Sequence, residues 1–239
     1  MKKTVFITGG SRGIGAYAVK KFTLLGYNVA FTYLKSHKNA LELEKETGAL
    51  GIYANMSNSQ CVCDAIEKAT KMFGKIDILI NNAGISEFAL FTDITDEMWH
   101  AMIENNLSSA FYASRAVLPQ MISRKQGVIL NVSSMWGQVG ASCEVHYSVA
   151  KAGLIGLTKA LAKEVGPSNI RVNCVCPGTI DTEMNSHLTC EDLNALKFDT
   201  PLGRIGTCED IFNMLTFLSE DTSSFITGQI FGVNGGYII

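Results

Sequence analysis

Short apolar runs alternate with stretches of helical period along the whole chain. The runs at 5–8, 29–33, 50–54, 76–81, 127–132, 171–175 and 229–233 read as seven strands. Between them, apolar positions recur every three to four residues and predict helices over 13–25, around 39–46, near 59–72, from about 96 to 123, over 145–165 and over about 209–219. The strand runs are continuously apolar rather than alternating. That is the pattern of strands buried on both faces, so the expected fold is α/β, with a parallel sheet covered by helices on each side. No linker, repeat or low-complexity stretch interrupts it, and residues 1–239 read as one domain.

The first strand runs into Thr8-Gly9-Gly10-Ser11-Arg12-Gly13-Ile14-Gly15, and a helix follows at once. Free N–H groups at such a helix start suit a pyrophosphate, as in dinucleotide-binding sheets of the Rossmann-type, doubly wound kind. Gly9 permits the tight turn, while Gly13 and Gly15 allow close approach. The register Gly13-x-Gly15-x-x-Ala18 also fits a glycine fingerprint, but the strand-to-turn break falls at Gly9. Ser11 and Ile14 share this loop. A site for NAD needs a carboxylate near the end of the second strand. Here the stretch Val29–Ser36 has none, and Arg12 and Lys35 are cations suited to a 2′-phosphate. The reading is NADP(H), with Tyr33 beside Lys35 at the strand end; the alternative is that both cations are solvated surface charges.

Composition narrows the picture without redirecting it. Hydrophobic residues make up 47% of the chain and charged residues 18%, enough for a sizeable core. The formal charge is −2 with no Lys/Arg run, so neither nucleic acid nor a membrane surface is an expected partner. The first apolar stretch is too short for a leader peptide, and no run of about 20 apolar residues exists to span a bilayer. The seven Cys include no C-x-x-C pair. Cys61/Cys63 and Cys174/Cys176 are expected to point to opposite sides of their elements. With four scattered His no metal set is expected, and the thiols read as free, small apolar residues in a cytoplasmic protein.

Tyr147-Ser148-Val149-Ala150-Lys151 places a phenol and an ammonium on one helix face. The ammonium favours the phenolate and so lowers the phenol pKa. Seven Tyr and fifteen Lys yield about 0.4 such pairs by chance, and Tyr17/Lys21 is a second. Context separates them: Ser134 closes the predicted strand before Tyr147, at the carboxyl end where ligands bind in such sheets. Asn106 lies on the apolar stripe of the long helix, either as a structural hydrogen bond to a neighbouring strand or as a station on a water-linked proton path.

The ordered set Thr8-Gly-x-x-x-Gly-x-Gly15, Asn81-Asn82-Ala83-Gly84, Asn106, Ser134, Tyr147-x-x-x-Lys151 and Pro177-Gly178 resembles the short-chain dehydrogenase/reductase family over essentially the entire chain. The resemblance implies that Ser134 orients a carbonyl, that Tyr147 is the general acid in its reduction, and that Lys151 lowers the Tyr pKa and holds the nicotinamide ribose. Asn106 would support a proton relay. Asn81, Ala83 and Gly84 would line the cofactor cleft, and Pro177, Gly178, Ile180 and Thr182 would meet the nicotinamide half. It also implies a homotetramer. After the third strand the family often has Asp-Val by the adenine; here Asn55-Met56 stands, whose Asn carbonyl can still accept from an adenine amino group.

Within the family the chain looks most like the 3-oxoacyl-[acyl-carrier-protein] reductases of fatty acid synthesis, with Arg124, Lys125 and Arg171 as candidate docking cations for acyl carrier protein. The segment Met135–His146 departs from that pattern. Trp136 and Glu144 fall within it as substrate-side candidates. Glu144 either caps the catalytic helix or sets a carboxylate beside a substrate amine. The same segment resembles the elongation factor P 5-aminopentanone reductases, which reduce a ketone on a modified lysine of elongation factor P. A sugar, steroid or small-alcohol dehydrogenase and a non-enzymatic dinucleotide sensor are the remaining alternatives.

Overall fold

The computed structural model describes residues 2–186 and 188–239. Seven strands form one sheet: β1 (Thr4–Ile7), β2 (Asn28–Tyr33), β3 (Leu50–Tyr53), β4 (Ile78–Asn81), β5 (Gly127–Val132), β6 (Ile170–Pro177) and β7 (Ile230–Val233). Their order is β3-β2-β1-β4-β5-β6-β7, and every neighbouring pair is parallel. The expected α/β, doubly wound sheet with helices on both faces is what the chain forms.

Helices α1 (Gly13–Leu24), α2 (His37–Thr47) and α3 (Ser59–Phe73) follow the first three strands. Then come α4 (Asp96–Ile103), a π-helical turn (Glu104–Ser108) and α5 (Ser109–Arg124). The rest are α6 (Trp136–Val139), α7 (Val145–Val165), α8 (Cys190–Asp199) and α9 (Cys208–Ser219). The short α6 and the whole of α8 are absent from the sequence-based expectation, and the long helix expected from 96 to 123 is interrupted by the π turn.

Strand alternation sorts the core into two layers. Val5 and Ile7 of β1, Ile78 and Ile80 of β4, and Leu130 and Val132 of β5 pack with Phe22 of α1, Leu43 of α2 and Leu215 of α9. Phe6, Leu79 and Ile129, next to them in sequence, face the other way and meet Ile66 of α3, Val117 of α5 and Ala162 of α7. One layer of helices is therefore α1, α2 and α9, the other α3, α5 and α7. Both sit on strands that read as unbroken apolar runs for this reason.

At the amino ends of the strands, three helices hand the chain back to the sheet through glycines in left-handed or other positive-φ conformations: Gly26 (φ 86°), Gly48 (φ 70°) and Gly74 (φ 83°). A side chain at any of the three would meet open space. The seven cysteines carry free thiols. The expectation that Cys174 and Cys176 diverge is corrected: residues two apart on a strand share a face, and their Sγ atoms lie 4.0 Å apart in the buried middle of the molecule. No helix among the described residues is long and apolar enough to cross a membrane, and no metal-holding cluster of His, Cys, Asp or Glu occurs among them.

Candidate active site

The sheet order reverses between β1 and β4, and the crevice beyond their carboxyl ends is where such sheets bind ligands. Two adjoining cavities of about 550 and 500 Å³ open there. They share Ile14, Asn82, Gly84, Thr182 and Met184 as walls, so they form one cleft running from β2 to β6.

The half toward β2 is lined by Gly9, Ser11, Arg12, Gly13, Ile14, Tyr33, Lys35, Asn55, Met56, Ala83 and Gly84. Gly9 takes φ 66°, and a Cβ there would come within 2.8 Å of the Ala83 backbone, so the strand-to-turn break admits only glycine. Thr8 ties this loop to the segment after β4: its Oγ1 accepts from the N–H groups of Asn82 at 3.0 Å and Ala83 at 2.9 Å. Among the described residues neither Arg12 nor Lys35 pairs with a carboxylate. Glu183 is the one acid among the described residues lining this half. These features suit a dinucleotide: a backbone cradle that a side chain would fill, and two cations at the far end.

Two expected contacts fall elsewhere, and a third is already engaged. Gly15 does not line the cleft; a Cβ on it would strike the Gly9 carbonyl at 2.2 Å, so its place is helix-to-loop packing. Asn81 turns into the layer of α5, where its Nδ2 donates to Asn131 Oδ1 (2.8 Å) and Ser114 Oγ (3.2 Å). Its neighbour Asn82 lines the cleft instead and donates to the carbonyls of Thr8 and Gly9. Alternation at the end of β4 is the signal that separates these two asparagines. Asn55 lines the cleft, but its Oδ1 already accepts from the Ser57 N–H (3.1 Å) and hydroxyl (2.9 Å).

The half toward β6 brings together Asn106, Ser134, Trp136, Glu144, Tyr147, Lys151, Pro177, Gly178, Ile180 and Thr182. Ser134 follows β5 and Tyr147 and Lys151 stand on α7. The two elements are locked because Ser133 Oγ donates to the Lys151 carbonyl at 2.7 Å. Ser134 Oγ accepts from the Trp136 backbone N–H at 3.2 Å and is the neighbouring polar group that favours ionisation of the Tyr147 phenol. Lys151 Nζ donates to the Val132 carbonyl at 3.0 Å and lies 5.6 Å from the centroid of the Tyr147 ring. Burial pushes the Tyr147 phenol well above its ordinary value; the Ser134 hydroxyl works against this, and the charge of Glu144 adds to it. Burial pushes Lys151 down to about 8, opposed by the thiols of Cys174 and Cys176 below it.

The second spaced pair, Tyr17 and Lys21, also puts its ammonium over its ring, at 5.3 Å. That ring packs edge-on against Phe212 of α9, outside both cavities.

Asn106 sits in the π turn, where the widened helix turns its amide toward the segment after β4. Its Oδ1 accepts from the Ile85 N–H (3.2 Å), and its Nδ2 donates to the carbonyls of Ile85 and Met102 (3.0 Å each). Gly84 must be glycine beside it, since a Cβ would lie 2.5 Å from Asn106 Oδ1. Glu144 occupies the N-cap position of α7 but makes no side-chain hydrogen bond to the helix N–H groups. Its Oε1 accepts from the Ser86 hydroxyl at 2.8 Å, buried in the cavity wall.

Leu188, Leu196 and Phe88 complete the apolar side of this half, and sequence reasoning missed all three. A findable signal stood at Thr189-x-x-Asp192, which forms a capping box at the start of α8. The candidate docking cations lie at the other end of the strands. Arg124 donates to the Ile76 carbonyl (2.8 Å) and Arg171 to those of Leu218 and Glu220 (2.7 and 3.2 Å). Lys125 caps α5 at the same end, before β5 begins. None of the three lines the cleft.

A family model described as enoyl-(acyl carrier protein) reductase matches residues 9–238. A 3-oxoacyl-[acyl-carrier-protein] reductase FabG of Chlamydia muridarum is 39% identical over 99% of this chain and 97% of its own length. An acetoacetyl-CoA reductase of Rhizobium meliloti is 39% identical over 99% and 98%, and the uncharacterized oxidoreductase YmfI of Bacillus subtilis 38% identical over 99% of each. With the glycine loop, the serine, the tyrosine and the lysine set around one cleft, and with relatives matched from end to end, the chain belongs to the short-chain dehydrogenase/reductase family.

Proposed function

We propose that this oxidoreductase reduces a ketone to a secondary alcohol with NADPH, and that Ser134, Tyr147 and Lys151 carry the chemistry. The observation that supports this best is their convergence in a cavity continuous with the glycine-loop cleft. The bound dinucleotide supplies the hydride. Gly9, Ser11, Gly13, Ala83 and Gly84 would form its backbone cradle, and Arg12 and Lys35 would hold the 2′-phosphate as charge-assisted donors. Of the residues lining the cleft, Tyr33, Asn55 and Met56 would hold the adenosine end and Pro177, Gly178, Ile180 and Thr182 the nicotinamide end.

Ser134 donates to the substrate carbonyl and Tyr147 gives up its phenolic proton to the oxygen as charge builds there. Burial makes that phenol reluctant to ionise. The Lys151 ammonium opposes this through its field, which stabilises the phenolate that forms. Asn106 fixes the segment after β4 through its amide and would support the relay that returns the proton. Gly15 and Asn81 act by packing rather than by touching the cofactor.

The substrate best supported by the relatives is a 3-oxoacyl thioester on acyl carrier protein. A second reading is favoured by Glu144, whose carboxylate lines the cavity beside Tyr147. Lys151 is the only cationic side chain among the described residues lining that half. A ketone bearing an amine, such as the 5-aminopentanone group on elongation factor P, suits that wall. We infer further a cytoplasmic homotetramer folded as a single domain.

NADPH oxidation against acetoacetyl thioester, a 5-amino-2-pentanone-like ketone and simple ketones tests both readings. Turnover with the thioester alone supports the first, turnover with the aminoketone the second. Silence with every ketone overturns the reductase assignment. Glu144→Gln should selectively weaken the aminoketone; an equal loss for all substrates would assign Glu144 to the start of α7.

A further inference from the structure

The segment after β7 is unlike an ordinary strand exit. It turns through two positive-φ glycines, Gly235 (φ 68°) and Gly236 (φ 88°). The turn is held by Asn234, whose Oδ1 accepts from the Gly236 N–H (3.0 Å) and whose Nδ2 donates to the Ile238 carbonyl (3.1 Å). It touches three parts of the substrate half of the cleft. The Asn234 backbone presses on Gly178, where a Cβ would sit 2.8 Å from its Cα. The Gly235 carbonyl accepts from the Leu202 N–H at 3.2 Å, and the two glycines pack on Thr200 and Pro201 just after α8. Tyr237 meets the Trp136 indole edge-on, with ring centroids 5.9 Å apart and planes at 86°.

Trp136 and, from α8, Leu196 line the same cavity. The Trp136 backbone N–H, not its indole, donates to Ser134 Oγ. Nothing else among the described residues is in ring contact with the indole.

We infer that the segment 234–238 is a strut that sets the width of the substrate cavity, and that Tyr237 is a positioning residue that holds Trp136 against the bound ketone's side chain. The inference rests on reading this cavity as the ketone site. Tyr237 does not line the cavity and touches no reacting atom, so it acts only through the indole and, behind it, through Ser134. An edge-to-face pair fixes a ring's tilt as well as its place. Without it the indole is free to swing, and substrates that rely on that wall lose affinity before they lose chemistry.

The test uses the full chain with Trp99→Phe as background, which leaves Trp136 as the sole tryptophan. Tyr237→Phe, Tyr237→Leu and Tyr237→Ala are compared. With the best ketone of the panel, Tyr237→Leu and Tyr237→Ala should raise KM roughly three- to tenfold, the range that one aromatic pair supports. NADPH Kd should stay within about twofold, and Tyr237→Phe should behave as the parent. The Trp136 emission should shift to the red in Leu and Ala but not in Phe. Unchanged KM and unchanged emission in Tyr237→Leu would overturn the strut, as would a lowered thermal midpoint with unchanged KM. If Tyr237→Ala does not fold, the Leu variant and the emission carry the test. A parent protein that turns over no ketone at all would refute the reductase reading, while the emission comparison would still decide the contact.

Discussion

A phenol in water loses its proton near pH 10, and burial makes Tyr147 hold it more tightly still. The general acid is therefore charged with its proton throughout the neutral range, and removing it should remove turnover: Tyr147→Phe is expected to lower kcat/KM by at least about a hundredfold with NADPH binding intact. Steady-state rates and cofactor titration read the two effects separately; near-normal turnover would remove Tyr147 as the acid. Its partner titrates inside the working range. Lys151 is depressed to about 8 by burial, so its ammonium is present below that pH and lost above it. Reduction should accordingly fall as the pH rises through about 8, and a flat profile from about pH 6 to 10 would deny the ammonium a part. At the other end of the cleft, Arg12→Ala should weaken NADPH by roughly tenfold or more and leave NADH nearly unchanged, as loss of a charge-assisted phosphate contact requires. Equal losses would take the 2′-phosphate away from Arg12. That Ser134, Tyr147 and Lys151 meet in one cleft was legible because their spacing and order carry chemistry. Asn81 misled because the motif names two adjacent asparagines, and only the alternation of β4 says which one faces the crevice.

Elements were legible wherever apolar period and length agreed, which is why strands and long helices came out nearly to the residue. The π turn was not. One extra residue in a helix leaves no mark on the apolar stripe, yet it is what aims Asn106 at Ile85. Helix α8 was missed for a different reason: it has no fully buried position among its described residues, so it lacks the stripe that reveals a helix. The packing of α6 on α7 makes a prediction at this scale. A Cβ on Gly137 would come within 2.8 Å of both the Lys151 backbone and Ser133 Oγ. Gly137→Ala should cost about 1–3 kcal/mol in urea unfolding and loosen the serine–lysine geometry with it. Full stability in that variant would mean that α6 shifts without strain.

At the scale of the molecule, the first and last strands of the chain lie in one sheet, and the cleft is built from residues spread from Gly9 to Leu196. A ligand that fills it braces the whole fold. NADPH at about a hundred times its Kd should add roughly 2.7 kcal/mol of stability, seen as a rise in thermal midpoint, and NADH at equal concentration should add less. Identical shifts would remove the preference for the phosphorylated cofactor.

Because every strand runs the same way, all the chemistry collects at one rim and the return turns collect at the other. Gly26, Gly48 and Gly74 at that far rim look onto empty solvent. Foreign peptide spliced into those three turns would hang clear of the cleft, which makes them the natural grafting points for labels, surface anchors or fusion partners on a working enzyme.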